Sequence, residues 1–175
     1  VSGGARVFVH ARRDPDEVVS AIDLATGAVA WQQKYPAPME KNPYAKQMAK
    51  GPYSTPLLEL SGGDGRLYTL GTTAIVSAWN ASTGALVWRR WTVPRKGEPG
   101  IDTWQGPEPI RGGGSTWLTG SYDPSSDTLY WATGNPWPGG DDRDRPGDNL
   151  YTNCVLALDA RTGETVYEPQ RLGGA

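Results

Sequence analysis

Ala21-Ile22-Asp23-Leu24-Ala25-Thr26-Gly27, followed four residues later by Trp31, decides the fold, because the chain repeats it. Ala78-Trp79-Asn80-Ala81-Ser82-Thr83-Gly84 leads to Trp88, and Ala157-Leu158-Asp159-Ala160-Arg161-Thr162-Gly163 leads to Tyr167. Each copy reads A-x-[D/N]-x-x-T-G-x-x-x-[W/Y]. The residues entering each copy (Val18 to Ile22, Ile75 to Trp79, Val155 to Leu158) suit a strand arriving at a tight turn. Glycine tolerates positive φ there, the Asp or Asn side chain can cap the turn amides, and a second strand leads out to the aromatic residue. Trp31, Trp88 and Tyr167 are therefore expected at equivalent contacts between sheets.

Working outward, a strand pair is expected with each motif: Arg6 to Ala11 with Val18 to Asp23, Arg66 to Leu70 with Ile75 to Asn80, and Thr128 to Thr133 with Thr152 to Asp159. Asp14-Pro15-Asp16 and Gly62-Gly63-Asp64-Gly65 supply turns between them. The motifs lie 57 and then 79 residues apart (Gly27 to Gly84 to Gly163), more than the roughly 40–45 of a plain four-stranded propeller blade, so insertions are expected. Tyr35 to Pro56 and Thr92 to Gly114 read as long connections, with a helical turn over Met39 to Lys50. The pattern predicts an all-β chain, one partial β-propeller domain of about three four-stranded blades spanning 1–175. Closed propellers need about four to eight blades.

Composition agrees. Among 175 residues, 23 Gly and 15 Pro are accompanied by eight Trp and eight Tyr but one Phe, which describes many turns around an aromatic and β-branched core. Seventeen basic and nineteen acidic residues give a net charge of −2, which argues against a nucleic-acid surface and against a polybasic membrane patch. No run approaches the roughly 18 apolar residues of a membrane span. Cys154 is the only cysteine, so neither an internal disulfide nor a cysteine metal cluster is available. Val1 opens onto Ser-Gly-Gly without a signal segment, which reads as a mature piece or an excised fragment.

From Gly112 the character changes. Gly112-Gly113-Gly114-Ser115-Thr116-Trp117 precedes Gly120-Ser121-Tyr122-Asp123-Pro124, Tyr130-Trp131-Ala132-Thr133-Gly134-Asn135-Pro136-Trp137 and Arg145-Pro146-Gly147-Asp148-Asn149-Leu150-Tyr151. Three glycines let backbone approach a flat or polar group closely, and a hydroxyl and an indole follow at once. Two readings stand side by side: a planar ligand stacked on Trp117, or an aromatic residue of a strand buried as core. A strand through Trp117 to Tyr122, a turn at Asp123 to Asp127 and a return strand to Thr133 predict a hairpin whose open end brings Asn135 within about 10 Å of the Trp117 ring.

From about Thr92 to Gln170 the chain resembles the pyrroloquinoline-quinone-dependent alcohol dehydrogenases, eight-bladed propellers with tryptophan docking motifs. Gly97-Glu98-Pro99-Gly100, Gly112 to Trp117, Gly120 to Pro124, Thr133 to Pro136 and Arg145 to Tyr151 follow in that family's order. The resemblance implies that Trp117 is the floor beneath the quinone, that Ser115 helps bind the cofactor, and that Asn135 gives its side-chain oxygen to a calcium ion. It further implies oxidation of an alcohol to an aldehyde, a separate electron acceptor, further propeller blades as partners and a periplasmic location.

Departures accompany the likeness. The family's calcium-binding glutamate falls where this chain reads Leu70-Gly71-Thr72-Thr73-Ala74-Ile75-Val76, the chain ends before the segment that carries the catalytic aspartate, and the adjacent cysteine pair is missing. No catalytic residue is therefore assigned, and the lone Asn135 is not expected to hold calcium tightly. Val7 to Arg89 look like a sister group, quinoprotein-like propellers related to outer-membrane assembly lipoproteins, through Arg12 to Pro15, Ala49 to Pro56 and Leu67 to Gly71. The change of character near Trp88 to Trp91 fits either a recombinant or a variant with diverged early blades, and it keeps a non-catalytic quinoprotein-like propeller acting as a scaffold or protein-binding module as the alternative function. Elsewhere, Asp141-Asp142-Arg143-Asp144 reads as a solvated loop, His10 as a strand residue and Cys154 as a small buried one.

Overall fold

The structure, a computed structural model, describes residues 5–13, 16–36, 56–59, 65–71, 74–106, 112–137, 142–143, 145–166 and 170–171. In chain order the strands are β1 (Arg6–Arg13), β2 (Asp16–Asp23), β3 (Val29–Pro36), β4 (Leu57–Glu59), β5 (Arg66–Gly71), β6 (Ile75–Asn80) and β7 (Leu86–Trp91). They continue with β8 (Gly112–Gly113), β9 (Ser121–Asp123), β10 (Thr128–Ala132), β11 (Pro136–Trp137), β12 (Cys154–Asp159) and β13 (Gln170–Arg171). A single 3₁₀ turn covers Ile101–Thr103 among the described residues.

Each blade is an antiparallel meander. The first holds β1-β2-β3, the second β4-β5-β6-β7, and the third β9-β10-β12-β13. A small two-stranded sheet, β8 with β11, sits beside the third. The expected all-β architecture is what the chain adopts, with three described strands in the first blade where four were expected. The helical turn expected over Met39 to Lys50 and the contact expected of Tyr167 lie outside the described residues.

The repeat motif is the corner between the last two strands of each blade. Asp23 Oδ1 accepts the amides of Ala25 (3.0 Å) and Thr26 (2.9 Å), and Asn80 Oδ1 accepts those of Ser82 (3.0 Å) and Thr83 (2.8 Å). Asp159 Oδ1 does the same for Arg161 (2.8 Å) and Thr162 (2.9 Å). Gly27, Gly84 and Gly163 take φ of 71°, 76° and 74°, the left-handed conformation that glycine enters without strain.

The same corner receives the neighbouring blade. Trp31 lies on Gly84, where a Cβ would fall 2.6 Å from its ring, and its Nε1–H donates to the Ala81 carbonyl at 3.0 Å. Trp88 repeats this one blade on, with Gly163 at 2.6 Å and the Ala160 carbonyl at 3.0 Å. At Gly27 the corresponding space is open among the described residues. The apolar cores accordingly lie in the seams between blades. Val19, Ala21 and Trp31 pack with Leu67, Trp79 and Ala81 in one; Tyr68 and Trp88 pack with Leu129, Trp131, Leu156 and Leu158 in the other.

Polar ties cross the second seam as well. Asp127 Oδ1 accepts from Tyr122 at 2.8 Å and lies 3.5 Å from Arg66 Nη1, while Arg161 Nε meets Oδ2 at 2.5 Å. In the first blade, His10 Nε2 is 3.2 Å from Glu17 Oε2 with both side chains buried. The register pairs His10 with Val19, which places Glu17 diagonally opposite on the same face. Cys154 is fully buried, as expected.

Candidate functional site

The glycine run is held by β8 against β11, with Gly113 opposite Pro136. A Cβ on Gly113 would fall 2.2 Å from the Asn135 carbonyl oxygen, so only glycine permits this approach. Gly114 N–H donates to the Asn135 carbonyl at 3.0 Å, and Gly134 N–H donates to the Ser115 carbonyl at 2.8 Å. These two bonds stitch the run to the Thr133-Gly134-Asn135-Pro136 segment.

Their consequence is convergence. The point where Gly134 would carry a Cβ is 2.8 Å from Ser115 Oγ and 3.5 Å from Trp117 Nε1, so the hydroxyl, the indole edge and the residue preceding Asn135 share one small region. Ser115 and Trp117 are thus brought to Gly134, the residue before Asn135, but not by the hairpin expected from the sequence. The paired strands are Ser121–Asp123 and Thr128–Ala132 only. Trp117 precedes them because the approach is occupied: Gly120 lies against the Trp131 ring (2.5 Å to a Cβ), and Trp131 Nε1–H donates to the Leu118 carbonyl at 2.8 Å. Backbone bonds between Gly114, Ser115, Gly134 and Asn135 make the convergence instead.

Exposure separates the two readings of Trp117. It is 56% exposed, and it is the only exposed tryptophan of the eight; Trp31, Trp79, Trp88, Trp104 and Trp131 are buried. A core residue it is not. Asn135 is also exposed, with Nδ2 donating to its neighbour's carbonyl (Pro136, 3.0 Å), which leaves Oδ1 as the amide's acceptor end. The arrangement can receive a flat, polar molecule on an indole with a hydroxyl and an amide at its rim.

Among the described residues no group of three or more His, Cys, Asp or Glu is placed to hold an ion. Gly71 pairs with Ile75 at the end of the β5–β6 ladder. Asp142 and Arg143 are exposed, in keeping with a solvated loop.

Beside Gly114 and Gly134 lies a layer of ties that sequence reading missed. Thr92 Oγ1 donates to the Gly114 carbonyl at 2.5 Å, and Thr133 Oγ1 donates to the Tyr151 carbonyl at 2.6 Å. The segment after Arg145 docks on the 3₁₀ turn, with Asn149 and Leu150 amides donating to Thr103 O (3.0 Å) and Thr103 Oγ1 (2.9 Å) and Trp104 Nε1–H donating to Leu150 O. Nothing in a single sequence marks a buried threonine at a strand end as a tie; the Arg145 to Tyr151 motif was visible, but its partner 46 residues earlier was not.

Residues 63–172 match the family described as PQQ, the glucose/ethanol/alcohol dehydrogenase beta-propeller domain. Residues 15–100 match the one described as outer membrane protein assembly factor BamB, on the half of the chain whose motifs resemble that group. Quinohemoprotein alcohol dehydrogenase ADH IIB of Pseudomonas putida is 35% identical over 175 residues, covering 86% of this chain and 23% of its own. Methanol dehydrogenase (cytochrome c) subunit 1 of Methylorubrum extorquens is 28% identical over 174 residues, covering 89% and 27%. The solved structure of quinohemoprotein alcohol dehydrogenase ADHIIG from Pseudomonas putida HK5 superposes with a TM-score of 0.68 at 27% identity, covering 93% of this chain and 24% of that one. The chain spans about a quarter of the length of these proteins.

Proposed function

This chain belongs to the glucose/ethanol/alcohol dehydrogenase β-propeller family, and from that premise we propose that it is a section of a quinone-dependent alcohol dehydrogenase. In this reading Ser115 and Trp117 form part of the floor for pyrroloquinoline quinone, and Asn135 offers one oxygen to a metal ion beside it. The observation that carries the proposal is the exposed Trp117 indole standing next to Ser115 Oγ and Gly134. Trp31 and Trp88 hold blades together; this one presents its surface to solvent.

The residues fit a quinone and do not by themselves fit a metal. Gly134 has no side chain between the hydroxyl and the indole, so a planar ring can lie on Trp117 with Ser115 reaching its polar edge. One amide oxygen falls short of the roughly six to eight oxygens calcium takes, so calcium, if it is the ion, needs carboxylates beyond this site. A bound quinone supplies the two-electron acceptor for oxidation of an alcohol to an aldehyde. Trp117 would orient the ring, Ser115 would donate to it, and none of the three residues is a base that could take the alcohol's proton. A small alcohol as substrate, a separate electron acceptor, further blades as partners and a periplasmic location belong to the same proposal. No helix among the described residues is long and apolar enough to cross a membrane.

Titrating the purified chain with pyrroloquinoline quinone and following indole emission tests the floor. Weak, saturable quenching is expected in the native chain and its loss in Trp117→Ala, with stability moved by less than about 1 kcal/mol because the ring is exposed. Quenching that persists in Trp117→Ala overturns the assignment.

A further inference from the structure

Thr92 joins the two limbs of the site, and it does so through groups that packing alone would not require. It follows β7 directly and is fully buried, and its amide donates to the Ala74 carbonyl at 2.8 Å, so it moves with the second blade. Its hydroxyl donates to the Gly114 carbonyl, one residue before Ser115. Gly114 takes φ of 60°, and a Cβ there would stand 3.0 Å from Thr92 Oγ1 and from Val93 Cγ2, so a side chain at 114 would crowd the hydroxyl that makes this bond. The Thr92 carbonyl accepts the Tyr151 amide at 3.1 Å, and the Tyr151 carbonyl accepts from Thr133 Oγ1, two residues before Asn135. One residue thereby ties both the Ser115–Trp117 limb and the Thr133–Asn135 limb to the same blade.

A buried strand-end residue of this shape could equally be valine, which matches threonine in branching and nearly in volume; the hydroxyl adds a bond to a buried carbonyl. Given the proposal that Ser115, Trp117 and Asn135 receive a quinone, we infer that Thr92 is a positioning residue of that floor, its hydroxyl fixing where the indole and Ser115 stand relative to Asn135. Removing the hydroxyl leaves the Gly114 carbonyl without that donor. The glycine run, free of side-chain restraint, then shifts and carries Ser115 and Trp117 with it.

The test compares Thr92→Val with Thr92→Ser in the full 175-residue chain. Hydrogen exchange at the Gly114 and Gly134 amides, which bond Asn135 and Ser115, reports the stitching without any cofactor. Exchange at both is expected to quicken at least tenfold in Thr92→Val and to stay native in Thr92→Ser. The Gly84 and Gly163 amides, in the blade corners, should be unchanged in both. Unaltered exchange at Gly114 and Gly134 in Thr92→Val refutes the inference, as does equal acceleration at Gly84 and Gly163, which would make Thr92 a general stabiliser. Quinone quenching should weaken in Thr92→Val and be rescued in Thr92→Ser. A native chain that shows no quenching at all would sink the quinone reading, while the exchange pattern still decides whether Thr92 sets the geometry.

Discussion

Replacing Trp88 by alanine probes the joint between the second and third blades. The indole is 8% exposed, stacks on Gly163, meets the Tyr68 ring at 6.0 Å and donates to the Ala160 carbonyl. Truncating a buried tryptophan costs about 3–5 kcal/mol. The Ala160 carbonyl adds little to this, because Tyr68 Oη also donates to it at 3.2 Å and it is not orphaned. At roughly 2–4 °C per kcal/mol for a chain of this size, thermal unfolding followed by circular dichroism should fall by about 6–20 °C. Gly163→Ala attacks the same joint from the other side by driving a methyl to 2.6 Å from the ring while φ stays near 74°. In the Trp88→Ala background that clash has no partner, and only the left-handed backbone penalty of about 1–2 kcal/mol remains. The double variant must therefore be more stable than the sum of the two single losses. Additive losses, or a Trp88→Ala cost below about 1 kcal/mol, would refute the docking account.

Burial pushes the Tyr68 hydroxyl up to about 12 against an ordinary value near 10. The neutral form is the one the fold accommodates, so stability should hold below about pH 10 and decline as pH rises towards 12, and Tyr68→Phe should flatten that decline in urea titrations across the range. Asp127 is held below the ordinary carboxylate value by its bond from Arg161, against the opposing effect of burial and with help from Tyr122. Its stabilisation is present above about pH 4 and is lost as pH falls through its lowered value, so the stability gap between the native chain and Asp127→Asn should close in acid. Calorimetric titration with calcium in the presence of quinone should show no tight binding by this chain; micromolar affinity would mean that a carboxylate outside the Ser115–Asn135 region completes a metal site.

What the sequence disclosed was whatever it states locally. Asp23, Asn80 and Asp159 cap amides two and three residues ahead, and the glycine that follows each is required within the same seven residues, so the corners could be read directly. The ring that docks was visible too; the carbonyl it reaches was not, since Ala81 and Ala160 lie 50 and 72 residues further on. At the candidate site, Ser115, Trp117 and Asn135 stand out in the sequence by residue type, but the backbone contacts that bring Ser115 and Trp117 to Gly134, the residue before Asn135, do not. The hairpin that does form, Ser121–Asp123 with Thr128–Tyr130, stops short of Trp117; two backbone bonds across Gly114 and Gly134 make the approach, and no periodicity encodes such a stitch. Exposure of Trp117 was equally hidden, because an indole after three glycines looks the same in a sequence whether it faces core or solvent.

Blade docking also has a direction in time. Each indole belongs to the blade made first, and its receptor belongs to the blade made next. A ribosome adding about 5–20 residues per second presents the Ala81 and Ala160 acceptors roughly 3–14 s after Trp31 and Trp88 themselves. During that interval a finished blade carries a tryptophan whose receptor has yet to be made. A Thr-Gly corner closes in about 1–10 μs once it is made, so the length of chain between each indole and its receptor sets how long each nascent seam stays open to chaperones or to the wrong neighbour.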